Sequence, residues 1–215
     1  MKILGIVGSK RKKGNTSILV QEALKAAKRE GMETELIFLG DYVIKDCIGC
    51  EGCKDTYKCV LNDDMQKIYP LLLEADGIIL GSPTYWYNVT ADMKAFIDRC
   101  YSLEVFAEDD RSCWVGINEA LGGKYAVAIA VCEQHDEKYM GFTAEAMTKP
   151  LVDLGYRVVD TVKAIKLFKA GEALEDEKIL EKSRIAGERL VKTLKLRKDI
   201  EIKLKSQFPL KTSMG

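Results

Sequence analysis

Four of the chain's seven cysteines, Cys47, Cys50, Cys53 and Cys59, fall within the string CIGCEGCKDTYKC, while Cys100, Cys113 and Cys132 stand singly. Two residues between successive thiols let neighbouring sulfurs converge on one small object, and four thiolates at one point suit zinc or an iron-sulfur cluster. The first three repeat the spacing of a bacterial ferredoxin run. Five residues then precede Cys59, however, and Val60 stands where proline would follow, which excludes a ferredoxin domain. Gly49 and Gly52 leave room for inorganic sulfide and supply N–H groups toward the sulfurs. A cluster, a structural metal and metal-free thiols all remain open on these residues, and the three scattered cysteines read as core or incidental thiols.

Two further strings carry chemistry. GSKRKKGNTS, residues 8–17, follows an apolar run and leads into a helical pattern, so backbone N–H groups and a helix N-terminus are offered to an anion. It is neither a Walker A loop nor a GxGxxG fingerprint. Ser9, Arg11, Asn15, Thr16 and Ser17 suit a terminal monophosphate, whereas a capped helix with a basic, solvated turn is the plainer alternative. In SPTYWYNVTADMKAFIDR, residues 82–99, Pro83 ends a strand and three aromatics follow, a composition able to cover a flat ring. Those aromatics could equally serve a core or a subunit contact. His135 is the only histidine, and a lone loop histidine is more often solvated than catalytic; no catalytic residue is assigned.

These strings need a scaffold, and the chain provides one. Short apolar or β-branched runs at 2–8, 34–39, 76–81, 124–132 and 156–165 alternate with helical patterns at 17–30, 63–75, 90–103, 139–153 and 172–197. Alternation predicts an α/β fold with a parallel sheet and helices on both faces. The first, third and fourth runs are almost wholly apolar, as central strands are, and the second and fifth are more polar. Five strands so graded fit the doubly wound 2-1-3-4-5 order, whose ligand crevice lies at the strands' carboxyl ends. One domain over 1–197 is expected, with a cysteine-rich insert at 45–62. The tail at 198–215 reads as a fraying extension or a strand-like arm. The long segment 102–123 suggests a lid, a site or a contact surface. Of 215 residues, 47% are hydrophobic, enough for a real core, and equal numbers of acidic and basic residues, 33 each, give no pull toward nucleic acid or anionic membrane. Without a signal-like or membrane-spanning run, the protein is read as soluble and cytoplasmic, a compartment that favours ligands or core thiols over disulfides.

The loop strings, together with LGGK before the fourth strand, resemble the NADPH-dependent FMN reductase group of flavodoxin-like proteins. The cysteine run followed by VLNDDM narrows the likeness to the iron-sulfur flavoproteins within that group. The resemblance covers roughly residues 1–195. It implies an FMN-dependent oxidoreductase in which Ser9, Arg11, Asn15, Thr16 and Ser17 hold the FMN phosphate and Pro83, Thr84, Tyr85, Trp86 and Asn88 line the isoalloxazine ring. Glu133 lies in the third ligand loop, although the glycine pair common there is missing. It further implies that Cys47, Cys50, Cys53 and Cys59 ligate one 4Fe-4S cluster, passing electrons from a donor such as ferredoxin to FMN and an acceptor. The alternative is an NAD(P)H-dependent FMN or quinone reductase whose cysteines are structural or bind zinc. Because the insert leaves the second strand, on the far side of the first from the ring crevice, the resemblance also implies a homodimer or homotetramer that brings one subunit's cluster toward a neighbour's FMN.

Overall fold

The computed structural model describes residues 1–208. The apolar runs become β1 (Lys2–Val7), β3 (Gly77–Pro83) and β6 (Lys124–Val131), and the more polar ones β2 (Glu33–Phe38) and β7 (Tyr156–Ala164). All pair in parallel in the order β2-β1-β3-β6-β7, which is the expected 2-1-3-4-5 sheet of the flavodoxin-like fold. Edge strands keep half-buried residues while the central three are buried almost throughout, because only the latter are covered on both faces.

Alternation along each strand sorts the core into two layers. Leu4, Ile6, Ile78 and Leu80 face α2 (Met65–Glu74), α3 (Ala91–Arg99) and α5 (Thr143–Asp153). Ile3, Val7, Ile79 and Val127 face α1 (Asn15–Arg29) and α6 (Glu177–Gln207). The α1 and α6 helices meet closely: a Cβ at Gly187 would lie 2.2 Å from the Ala23 carbonyl oxygen, so only glycine fits there. No helix among the described residues is long and apolar enough to cross a membrane.

Two long segments depart from the simple pattern. Residues 102–123 fold into a small antiparallel hairpin, β4 (Glu104–Phe106) with β5 (Trp114–Gly116), and one helical turn, α4 (Ile117–Ala120). The stretch after Leu196 is neither a strand-like arm nor a frayed end as far as Gln207, since α6 continues through it. No proline or glycine interrupts residues 188–207, and the Glu201–Lys205 ion pair, 2.6 Å at i,i+4, supports the last turns. The alternation of Ile200, Ile202 and Leu204 therefore reflects no burial: residues 198–208 are all exposed. Residues 209–215 of the expected tail lie outside the described residues.

Candidate functional site

At the carboxyl ends of β1, β3 and β6 the loops are tied to one another before any ligand is considered. Thr90 caps α3, accepting from the Met93 N–H at 3.2 Å, and its hydroxyl donates to the Gly8 carbonyl at 2.8 Å, which joins the first loop to the second. The α1 helix begins differently. Its N-cap is Gly14, which makes no side-chain bond, and its first turn has no acidic residue, so the positive end of the helix is left for an outside anion. Lys10 and Lys12 are turned onto Asp92 and Asp41 at 3.5 and 2.8 Å. Of the loop's basic residues, Arg11 lines the recess.

That recess is narrow, about 110 Å³, and is lined by Ser9, Arg11, Asn15, Thr16, Pro83, Thr84, Tyr85 and Glu133. Through Thr84, Tyr85 and Glu133 it continues into an open hollow of about 670 Å³ bordered by Trp86, Tyr87, Gln134 and Tyr139. Ser17 and Asn88 line neither part. Ser17 is fully buried and accepts from the Gln21 amide at 2.8 Å, and the Asn88 side chain accepts from the Val89 N–H at 2.8 Å. Asn15 reaches the recess wall, yet its amide is already occupied. It donates to the Leu167 and Lys169 carbonyls at 3.2 and 2.8 Å and accepts from the Gly171 and Ala173 N–H groups, both at 3.1 Å. The side chain read as a phosphate ligand fixes the loop after β7. That loop contributes Leu167, Phe168 and Ala170 to the wall, residues that sequence reasoning missed. The apolar residues in the connection KLFKAG were the available signal.

The aromatic turn is built under strain. Tyr85 and Asn88 exchange both backbone bonds, at 2.8 and 3.1 Å, and the two residues between them, Trp86 and Tyr87, take φ of 49° and 64°. Such hairpin turns normally use glycine or asparagine. Here two aromatics adopt the left-handed conformation, a cost that surrounding structure must hold in place. Gly141 and Phe142 do so: the Phe142 N–H donates to the Tyr87 carbonyl at 2.7 Å, and a Cβ at Gly141 would sit 2.4 Å from the Tyr87 Cβ. The result projects Trp86, 93% exposed, beside the open hollow.

The cysteine segment is of another kind. Residues 42–64 contain no helix or strand, and Glu51 and Tyr57 have positive φ. Cys47, Cys50, Cys53 and Cys59 nevertheless line one recess of about 490 Å³, together with Ile97, Asp98, Cys100 and Tyr101 from the end of α3 and Pro150, Asp153 and Leu154 from the end of α5. Burial raises the Cys53 thiol pKa, and the Cys59, Cys47 and Cys50 thiols push it the same way. Among the described residues no three potential ligands stand at metal-binding distances. The donor set fits a cluster in chemistry: four soft sulfurs share one recess with no imidazole. Its backbone agrees, for nothing lies within 4 Å of a Cβ at Gly49, and one at Gly52 would lie 3.7 Å from the Cys50 sulfur and 2.8 Å from Val60. Cys100 is a core thiol, its pKa pushed up to about 12 by burial; Cys132 is likewise buried. Cys113, by contrast, is exposed in the hairpin.

The segment does not stay beyond β2, as its point of departure suggested. It folds back over the helices of one face, where Arg99 holds the loop from beneath and an exposed Arg111–Glu51 pair, 2.8 Å, meets it from the hairpin. Helices in a parallel α/β layer run against the strands, so the ends of α3 and α5 point away from the loops of the cofactor recess. The 11 residues of α5 alone span about 16 Å at 1.5 Å per residue. The two recesses share no lining residue.

Comparison with known proteins agrees with this architecture. Residues 1–159 match the NADPH-dependent FMN reductase family, and the chain belongs to that family. Within it the chain is similar to an iron-sulfur flavoprotein of Methanocaldococcus jannaschii, 50% identical over 105 residues, which are 49% of this chain and 54% of that protein. An iron-sulfur flavoprotein of Archaeoglobus fulgidus is 40% identical over 131 residues, 61% of this chain and 54% of the relative. The matches thus span about half the length of these curated relatives. A flavone reductase structure superposes with a TM-score of 0.67 at 21% identity, covering 94% of this chain and 64% of the other, a likeness of fold.

Proposed function

We propose that the protein is an FMN-dependent oxidoreductase of the iron-sulfur flavoprotein type. The observation that carries this reading is the uncapped N-terminus of α1, opening on a recess that continues beneath an aromatic turn, in a chain of the FMN reductase family. Ser9, Arg11 and Thr16 with the first-turn N–H groups would hold the phosphate, and Thr84, Tyr85 and Trp86 would border the ring. When bound, FMN supplies one- and two-electron chemistry, and a cluster supplies single electrons. The chain's own contribution is to place donors and exclude water. Main-chain N–H groups between Thr84 and Asn88 and the Glu133 loop set the polarity that the ring meets.

Cys47, Cys50, Cys53 and Cys59 would hold the 4Fe-4S cluster, fed by a donor such as ferredoxin. The separation of the two recesses supports an assembly in which the cysteine segment of one subunit serves the FMN of another, as a dimer or a tetramer. A second reading, an NAD(P)H-dependent FMN or quinone reductase with structural cysteines, is favoured by the size of the open hollow, which has room for a second flat ring.

Anaerobic purification followed by assays for flavin, iron, labile sulfide and zinc separates the two. FMN with iron and sulfide in equal amounts is expected. FMN without iron or sulfide after anaerobic reconstitution would leave the second reading, and reduction rates with NADPH, NADH and reduced ferredoxin would then identify the donor.

A further inference from the structure

Arg99 is the largest side chain that is wholly buried, and it lies under the neck of the cysteine segment. One terminal nitrogen donates to the Lys45 carbonyl at 2.9 Å, where the chain enters the segment, and to Asp63 Oδ2 at 2.6 Å, where it leaves. The other donates to Asp63 Oδ1 at 3.1 Å. Asp63 returns the link, accepting from the Lys45 N–H at 2.9 Å, and the Gln66 amide holds the Cys59 and Leu61 carbonyls at 2.8 and 2.9 Å. A single guanidinium therefore joins both ends of the loop that carries all four thiols. One donor is left over: Arg99 Nε is buried with no hydrogen-bond partner among the described residues. Burial opposes the charge on this group, and it is kept by the Asp63 carboxylate and then by the Cys59 thiol.

A fork with five donors and a fixed charge is what a buried bidentate pair requires, and lysine cannot reproduce it. For closing the loop alone, a neutral pair of similar volume would serve as well or better. The guanidinium also approaches the Leu61 carbonyl at 3.5 Å, two residues from Cys59, and an ionic pair there with an unpartnered donor points to an anion on the cysteine side. The residues involved, Asp63 in VLNDDM and Arg99 in FIDR, belong to two strings whose spacing otherwise has no chemistry assigned to it.

We propose that Arg99 is a positioning residue for the four-cysteine site: it closes the neck of the segment onto Asp63 and holds its positive charge near the anionic centre formed at Cys59. This rests on the cluster reading above. A reduced cluster is more negative than an oxidised one, so a fixed cation behind one ligand favours reduction and raises the midpoint potential, and the Asp63 carboxylate moderates that effect.

The test uses the full chain, anaerobically reconstituted with iron and sulfide, as wild type and as Arg99→Gln, Arg99→Lys and Asp63→Asn. Iron, sulfide and FMN per chain are measured, and the cluster's midpoint potential is followed by electron paramagnetic resonance during reductive titration. Arg99→Gln is expected to lower the potential, Arg99→Lys to restore part of it, and Asp63→Asn to raise it. A merely structural clamp would give no shift, or shifts of one sign in both neutral variants, and either result overturns the proposal. Should Arg99→Gln not fold, the sign in Asp63→Asn decides: an upward shift supports the proposal, and no shift or a downward one overturns it. A wild-type chain that takes up FMN but no iron overturns the cluster reading and this inference together; iron bound with unshifted potentials overturns this inference alone.

Discussion

The cofactor recess opens at the strand ends beside the N-terminus of α1, whereas the cysteine segment packs on the ends of α3 and α5 in the other helical layer, and the two are held by different means. The recess is assembled at the ends of regular elements. A helix N-terminus, two strand ends and a threonine cap fix its shape through backbone geometry, and no single side chain carries it. The cysteine segment has no ladder of its own and is fixed by a few side chains, with one buried ion pair at its centre. A site made of strand ends is rigid because the sheet is rigid, whereas a site on a loop is only as rigid as its few anchors.

That contrast can be broken at the anchors first. The Arg99 and Asp63 side chains are 0% and 2% exposed. Removing one partner by Arg99→Gln leaves a buried, uncompensated charge, and a loss of about 3–5 kcal/mol in chemical unfolding is expected. Limited proteolysis should show the cysteine segment opening before the sheet does. Acid should act at the same point. Burial works against the Asp63 carboxylate, but Arg99 and the Lys45 and Met65 N–H groups outweigh it and hold its pKa below the usual value. The resulting stability is complete above the unfolded carboxylate pKa of about 3.9 and is lost as pH falls toward the folded one. Hydrogen exchange should report loosening at 45–63 below about pH 4, and Asp63→Asn should lack that pH dependence.

The recess should yield to changes of backbone rather than of charge. Gly141 has φ 56° and ψ −125°, a conformation open to glycine almost alone, and it abuts Tyr87. Gly141→Ala is expected to weaken FMN binding by roughly 30-fold or more, from about 2 kcal/mol of strain released into the aromatic turn. Fluorescence titration measures it, and the reactivity of the four thiols should be unchanged. Asn15→Ala removes the bonds to the loop after β7, and about one bond's worth, roughly 1 kcal/mol, carried to the recess should weaken FMN binding by about 5-fold. The smallest effect is expected of Arg111→Ala. Its pair with Glu51 is exposed, so thermal stability should not move measurably, and only proteolysis near Glu51 should quicken.

What the sequence disclosed follows the same division. Central and edge strands were legible because burial on one or two faces writes itself directly into apolar runs. The loop strings were legible because glycine, serine and proline mark turns. The part Asn15 plays in holding the loop after β7 was not legible, since an amide next to a glycine-rich loop serves a phosphate or a neighbouring backbone equally well, and only the fold brings residues 167–173 beside it. Leu167, Phe168 and Ala170 were missed for the same reason: their proximity depends on β7 lying at the sheet edge. The course of the cysteine segment is set by Arg99, a long-range partner that no local pattern reveals. Ile200, Ile202 and Leu204 showed a strand-like alternation that helix propensity overrode.

The central claim is that one chain carries two separately built sites, and Cys53→Ala tests it most directly. After anaerobic reconstitution, iron, labile sulfide and FMN are measured per chain against wild type. Loss of iron and sulfide with FMN retained is the result expected of independent recesses. Loss of FMN together with the iron would contradict it, and would make the cysteine segment a staple for the flavin site.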